Sequence, residues 1–131
     1  MKPQQKRVLV VDDVEELRKT AIYSLSMIYP HVGFIEAANG FTAIDKMIKF
    51  KPDLVLLDIE MPEMNGIQFL RRIRNSKDKM INSIPVIMFT GVVDKEKIDE
   101  ILQLGVHDYL VKPYELESLY KKVDKFLKPE E

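Results

Sequence analysis

The segment Val8-Leu-Val-Val-Asp-Asp13 joins four consecutive apolar residues to a pair of carboxylates, and Leu54-Val-Leu-Leu-Asp58 repeats the pattern with one carboxylate. Residues that are apolar at successive positions, rather than at alternate ones, are typical of strands buried on both faces. Three further apolar runs bring the number of predicted strands to five: Val32–Ala38, Val86–Phe89 and Val106–Val111. The pattern therefore predicts a parallel sheet covered by helices on each side.

Between these runs lie five segments in which apolar residues recur every three or four positions, the spacing of one helix face. The predicted helices cover Val14–Ile28, Gly40–Phe50, Gly66–Asn75, a stretch around Ile98–Leu102, and Leu116–Leu127. Alternation of strand and helix implies right-handed crossovers and a doubly wound α/β sandwich. We expect a single domain over residues 1–131, with its core at about residues 7–127.

The composition excludes several classes of protein. Lys and Arg number 20 against 21 Asp and Glu, a balance that disfavours broad binding to nucleic acid or anionic membranes. The absence of Cys excludes disulfides, iron–sulfur clusters and thiolate zinc sites. The apolar runs are shorter than the ~18 residues of a membrane helix, and the N-terminus lacks a signal-peptide core. The prediction is a cytoplasmic protein without membrane contact.

Reactive side chains are expected to converge at one edge of the sheet, because ligands of doubly wound folds bind at the carboxyl ends of the strands. The residues at these ends are Asp12, Asp13, Asp58, Glu60, Thr90 and Lys112. Two carboxylates ~5 Å apart repel by ~3 kcal/mol at an effective dielectric of ~20, so either a pKa rises or a cation binds. Oxygen ligands without His or Cys favour Mg²⁺ or Mn²⁺ over zinc.

A divalent ion, an ammonium, a hydroxyl and a carboxylate around one point predict phosphoryl transfer to an Asp side chain. The metal would bind one phosphoryl oxygen and Lys112 another, and the Thr90 hydroxyl with nearby backbone N–H groups would donate to the third. Taken singly, the residues have ordinary structural interpretations: a helix N-cap for Asp12 or Asp13, a strand end for Thr90, and a solvated charge for Lys112. Their coincidence at four strand ends favours the chemical interpretation.

At these residues the sequence resembles the receiver domain of two-component response regulators, in particular the single-domain chemotaxis type. The matching segments are Val8–Asp13, Leu54–Gly66, Ile84–Thr90 and Asp108–Pro113, in register from about residue 7 to residue 127. The stretch Asp-x-x-Met-Pro-x-Met-Asn-Gly is the most specific of them. The resemblance implies a flavodoxin-like (βα)5 fold, with a five-stranded parallel sheet in the order 2-1-3-4-5.

The resemblance also implies a role for each residue of the acidic site. Asp58 would be the phosphoacceptor, and Lys112 would form an ion pair first with Asp58 and then with the phosphate. Asp13, Asp58 and the backbone carbonyl of Glu60 would bind Mg²⁺ directly, and Asp12 would act mainly through a bound water.

A conformational switch is implied as well. Thr90 would move toward the phosphoryl group and Tyr109 would rotate into the vacated space, changing the surface of the fourth helix, fifth strand and fifth helix. The alternative for Tyr109 is a half-buried residue of an edge strand with its hydroxyl in water. The Lys112–Pro113 peptide would be cis.

The implied partners are a histidine kinase or histidine phosphotransfer protein as phosphodonor, and an output protein or fused effector domain. The donor would dock near Val14, Leu17 and Arg18 and near the loop after Lys112. Neither nucleic acid nor membrane is an expected contact of this domain, and phosphorylation-dependent homodimerisation remains open. The ending Lys128-Pro-Glu-Glu131 suits either a stand-alone receiver or a piece of a longer regulator.

Three features qualify this interpretation. Gly91 stands where Ala or Ser is commoner, which leaves the phosphoryl site more open to water. Glu60 places an extra carboxylate near the phosphate that could either repel or orient an attacking water, so the net effect on acyl-phosphate lifetime is left open. The basic cluster Arg71, Arg72 and Arg74 is interpreted as a solvated face, because it lacks interleaved aromatic residues.

Three other functions fit the sequence less well than the receiver does. A phosphatase of the haloacid-dehalogenase type would use Asp58 and Glu60, but its nucleophile belongs on the first strand and the chain leaves no room for a cap. A flavodoxin-like cofactor carrier is disfavoured because Asp12 and Asp13 would repel a phosphate. A degenerate receiver is disfavoured by the complete set of site residues.

Overall fold

The sheet is parallel throughout, as the buried apolar runs predict. A computed structural model describes residues 5–91 and 95–128, so the predicted domain limits at residues 1 and 131 and most of the ending 128–131 lie outside the described residues. Within those ranges the strands are β1 (Arg7–Val11), β2 (Gly33–Ala37), β3 (Leu54–Asp58), β4 (Val86–Thr90) and β5 (Asp108–Val111). They pair in the order β2-β1-β3-β4-β5, which confirms the predicted topology.

Six helices lie in the described part of the chain, one more than the periodicity predicted. They are α1 (Glu15–Ile28), α2 (Gly40–Phe50), α3 (Gly66–Arg74), α4 (Lys79–Asn82), α5 (Lys95–Gln103) and α6 (Leu116–Leu127). The additional helix, α4, has only four residues, too few to show a hydrophobic period, and the Asp78 side chain caps it by accepting from the backbone N–H of Met80. The side chains of Asn39 and Asn65 cap α2 and α3 in the same way.

Helices bury both faces of the sheet. On one side Leu9 and Val55 pack with residues of α2, α3 and α5, including Phe69. On the other side Val10 and Leu56 pack with residues of α1 and α6. Because neighbouring residues of one strand enter opposite layers, the strands are apolar at successive positions.

The prediction of a solvated basic face on α3 is wrong for one of its three arginines. Arg71 and Arg72 are exposed, but Arg74 is partly buried and donates hydrogen bonds to three backbone carbonyls. Those carbonyls belong to Asn82, Leu104 and Gly105, at the ends of α4 and α5.

None of the helices in the described ranges combines the length and hydrophobicity needed to cross a membrane.

Candidate functional site

Three carboxylates meet at the edge of the sheet where β1 and β3 end. Asp12 and Asp13 follow β1 directly, Asp58 is the last residue of β3, and the two strands are neighbours in the sheet. One carboxylate oxygen from each residue lies within 4.8 Å of the others. Asp12 and Asp58 are buried, and Asp13 is exposed. Three converging oxygen donors with one side open to solvent fit a hard divalent ion such as Mg²⁺ or Mn²⁺ that keeps some of its waters.

Lys112 brings a cation to the two buried carboxylates from the end of β5. Its Nζ atom lies 3.3 Å from Oδ1 of Asp58 and 3.5 Å from Oδ2 of Asp12. The backbone N–H of Lys112 donates to the carbonyl of Thr90 at 2.7 Å, which ties this loop to the end of β4. The Lys112–Pro113 peptide is cis, as the resemblance implied.

Backbone hydrogen bonds fix the orientation of Asp12 and Asp58. Oδ1 of Asp12 accepts from the backbone N–H of Val14 at 2.9 Å, and its own N–H donates to the carbonyl of Ala37 at 3.1 Å. Oδ1 of Asp58 accepts from the backbone N–H of Glu60 at 3.3 Å. Val14, not either aspartate, is the N-cap residue of α1, so the Asp12 side chain orders the turn before the helix rather than capping it.

Burial and the neighbouring charge of Asp12 make the ionised form of Asp58 costly. Burial raises the pKa of the Asp58 carboxyl above its ordinary value, and the nearby charge of Asp12 raises it further. The ammonium of Lys112 and the hydrogen bond from Glu60 oppose this rise without cancelling it. An additional cation at the cluster would therefore stabilise the ionised acceptor.

Thr90 and Tyr109 lie on the two strands next to this cluster. Thr90 ends β4, is fully buried, and lies one position beyond Phe89, the register partner of Asp58. Tyr109 lies on the edge strand β5, where it pairs with Met88 of β4. Its side chain is partly buried against the side of the core formed with α2, α3 and α5. Glu60 and Gly91 are exposed, and an added Cβ at Gly91 would meet no atom of the described residues within 4 Å.

Two surface grooves flank the carboxylates. The first, of about 430 Å³, is lined by Asp13, Glu60 and Asn65 and, from α5, by Lys97. The second, of about 530 Å³, is mostly apolar and runs between α1 and the loop after β5. Its lining includes Asp12, Leu17, Arg18, Lys112, Tyr114 and Leu116. Each groove therefore reaches one aspartate of the cluster, Asp13 in the first and Asp12 in the second.

Sequence reasoning missed one contact to the cluster. Nη1 of Arg18 donates to the backbone carbonyl of Asp12 at 2.7 Å, and Nε donates to Glu36 on β2 at 2.8 Å. From the sequence, Arg18 was predicted only as part of the surface on which the phosphodonor docks. No local signal could have found the pairing, because 18 residues separate Arg18 from Glu36 and only the sheet brings them together.

Comparison with known proteins agrees with this geometry. Residues 8–124 match the family model described as the response regulator receiver domain. Regulatory protein AtoC of Escherichia coli is 37% identical over 86% of this chain, which spans only 23% of AtoC. Chemotaxis protein CheY-3 of Vibrio cholerae is 35% identical over 91% of this chain and 89% of its own length. The crystal structure of Vibrio cholerae CheY4 superposes with a TM-score of 0.84 at 29% identity, covering 95% of this chain and 100% of that one. The chain therefore belongs to the response regulator receiver domains of two-component signalling.

Proposed function

We propose that this receiver takes a phosphoryl group onto Asp58 from the phosphohistidine of a histidine kinase or histidine phosphotransfer protein. The observation that carries the proposal is the cluster of three carboxylates within 4.8 Å, with Lys112 within 3.5 Å of two of them. Asp13, Asp58 and the backbone carbonyl of Glu60 would hold Mg²⁺, with Asp12 acting through a water, and Mn²⁺ would be an alternative ion.

The transfer step is a displacement at phosphorus. An Asp58 carboxylate oxygen forms the new P–O bond while the P–N bond to the donor imidazole breaks and its electron pair returns to the imidazole nitrogen. The product is an acyl phosphate whose negative charge lies on the phosphoryl oxygens. A Mg²⁺ ion held by these ligands would neutralise part of the phosphoryl charge. Lys112 exchanges its carboxylate partner for a phosphoryl oxygen, and the hydroxyl of Thr90 donates to another. This chemistry makes the domain a switch rather than a turnover enzyme.

The donor docks on the groove between α1 and the loop after β5. Large apolar side chains are exposed beside it, namely Val14 (44%), Leu17 (47%) and Leu116 (45%). Apolar exposure next to a charged transfer site suits a protein partner, because burial of these side chains would add to the affinity. A cytoplasmic kinase or phosphotransfer protein would be positioned there with its histidine directed at Asp58.

Phosphorylation changes the part of the surface near β5, which lies on the other side of β4 from Asp58 and β3. Thr90 moves toward the phosphoryl group, Tyr109 turns into the space left, and the surface of α5, β5 and α6 changes. This surface would control an output protein, a fused effector domain or a second copy of the receiver. Nucleic acid and membrane are not expected partners of the domain itself.

The decisive experiment is incubation with Mg²⁺ and acetyl phosphate, followed by intact-protein mass spectrometry. We expect one phosphoryl group on the wild type, none on Asp58→Asn, and none when EDTA removes the metal. The matched control is Asp45→Asn, which removes an exposed carboxylate from α2, outside the site, and should be labelled like the wild type. Labelling that persists in Asp58→Asn would overturn the assignment of the acceptor. Sustained hydrolysis of small phosphate esters would instead favour the phosphatase, and a yellow purified protein the flavin carrier.

A further inference from the structure

Arg18 connects the metal-binding loop to the neighbouring strand. Its side chain is 11% exposed, and a single guanidinium donates both to the carbonyl of Asp12 and to the carboxylate of Glu36. The donor distances are 2.7 and 2.8 Å, respectively. The proposed transfer chemistry makes no use of this residue, although it lies beside the site.

The second carboxylate oxygen of Glu36 also accepts a hydrogen bond. Lys19 donates to Oε2 at 2.7 Å, so each carboxylate oxygen of Glu36 has a cationic donor. The hydrogen bond from Lys19, together with that from Arg18, keeps the pKa of Glu36 below its ordinary value despite partial burial. Glu36 therefore stays ionised and fixes the plane of the Arg18 guanidinium.

The Arg18 contact completes the fixation of Asp12. The N–H of Asp12 is bound to Ala37, its side chain to Val14, and its carbonyl to Arg18. The orientation of that carbonyl sets the plane of the Asp12–Asp13 peptide. This peptide plane limits the positions that the carboxylate of Asp13, the exposed member of the cluster, can reach.

We propose that Arg18, anchored by Glu36, is a positioning residue that holds the Asp12–Asp13 peptide so that both carboxylates face the divalent ion. The inference rests on the proposed function. Arginine suits the position because its planar fork can bridge a carboxylate and a carbonyl at once, whereas lysine offers one point charge. Groups that orient metal ligands typically change metal affinity by about 10–100-fold when removed, while an ordinary ion pair near the surface would leave it unchanged.

The test compares Arg18→Met, Arg18→Lys and the control Lys19→Met. Lys19 lies on the same helix and shares the partner Glu36, but it makes no hydrogen bond to Asp12. Mg²⁺ affinity is measured by titration of backbone amide NMR shifts, and the Mg²⁺ requirement is measured as the concentration that gives half-maximal labelling by acetyl phosphate. We expect the dissociation constant to rise about 10-fold in Arg18→Met and several-fold in Arg18→Lys, and to change less than about 2-fold in Lys19→Met.

A positioning role also predicts which kinetic quantity changes. The half-maximal Mg²⁺ concentration should shift in parallel with the dissociation constant, while the labelling rate at saturating Mg²⁺ should return to within about 2-fold of the wild type. Wild-type affinity in folded Arg18→Lys and Arg18→Met, or an equal loss in Lys19→Met, would overturn the inference and leave the proposed function intact. A wild type that neither binds Mg²⁺ nor becomes labelled would overturn the proposed function and this inference together.

Discussion

Replacing Asp58 by Asn should stabilise the metal-free protein at neutral pH. The pKa of the buried Asp58 carboxyl is raised, so the folded protein binds this proton more tightly than the unfolded chain does. The free energy of unfolding of the wild type should therefore fall as pH rises from the ordinary carboxyl range, about 4, through the raised folded-state pKa. Asn carries no charge, so the variant should not show this decline.

The size of the effect follows from the distances at the cluster. At an effective dielectric of ~20, Lys112 at 3.3 Å stabilises ionised Asp58 by about 5 kcal/mol, and a carboxylate at up to 4.8 Å destabilises it by about 3 kcal/mol. Asp12 shares the same ammonium, and burial adds a desolvation cost of several kcal/mol to a side chain that is 4% exposed. Burial raises the pKa of the Asp58 carboxyl, so the unfavourable contributions prevail over the attraction of Lys112. With a desolvation cost of about 4 kcal/mol, these contributions leave a net cost of about 2 kcal/mol at pH 7.

Urea unfolding in EDTA measures this cost directly, at pH 4 and at pH 7, with Asp45→Asn as the control for the same change in net charge. The gain in Asp58→Asn should be about 2 kcal/mol at pH 7 and should largely vanish near pH 4. Excess Mg²⁺ should stabilise the wild type more than the variant, because the variant has lost one ligand. Equal stability of the wild type and Asp58→Asn at pH 7 without metal, or a gain that persists unchanged at pH 4, would refute the electrostatic account.

Three further predictions test how the fold supports the site. Gly66→Ala should destabilise the protein by more than about 2 kcal/mol and slow labelling by acetyl phosphate, because the new Cβ would lie 2.5 Å from the carbonyl oxygen of Asp58; wild-type melting and labelling would contradict it. Tyr29→Phe should cost about 1–2 kcal/mol in chemical unfolding, because it removes a partly buried hydrogen bond of 2.7 Å from the buried Tyr29 to Asp124; an unchanged midpoint would contradict it. Arg74→Met should cost about 2 kcal/mol and accelerate amide hydrogen exchange at the end of α5, whose carbonyls lose a partly buried donor; unaltered exchange there would contradict it.

The sheet was predictable because each buried strand carries its own signal. The run predicted over residues 54–57 is the strand Leu54–Asp58, and the sheet order follows the resemblance. The edge strand was predicted less accurately: apolar Val106 suggested an earlier start, but β5 begins at Asp108. Val106 packs against the core without joining the ladder, so its hydrophobicity reports burial rather than strand pairing.

The candidate site could be predicted in part, for the same physical reason. Positions at strand ends were predictable, since a parallel sheet must bring Asp12, Asp58 and Lys112 to one edge. Contacts of long side chains were not, because they depend on which backbone groups the fold presents. Arg18 and Arg74 each bind carbonyls from other segments, and neither their spacing nor their neighbours in sequence distinguishes them from solvated surface charges.

The ammonium that lies between two carboxylates has a consequence for how the domain is used. Lys112 already offsets part of the buried negative charge, which favours folding of the polypeptide before any ion arrives. An arriving Mg²⁺ would then share its ligands with a resident positive charge, which would weaken its binding. The occupancy of such a site would follow the magnesium concentration around the protein.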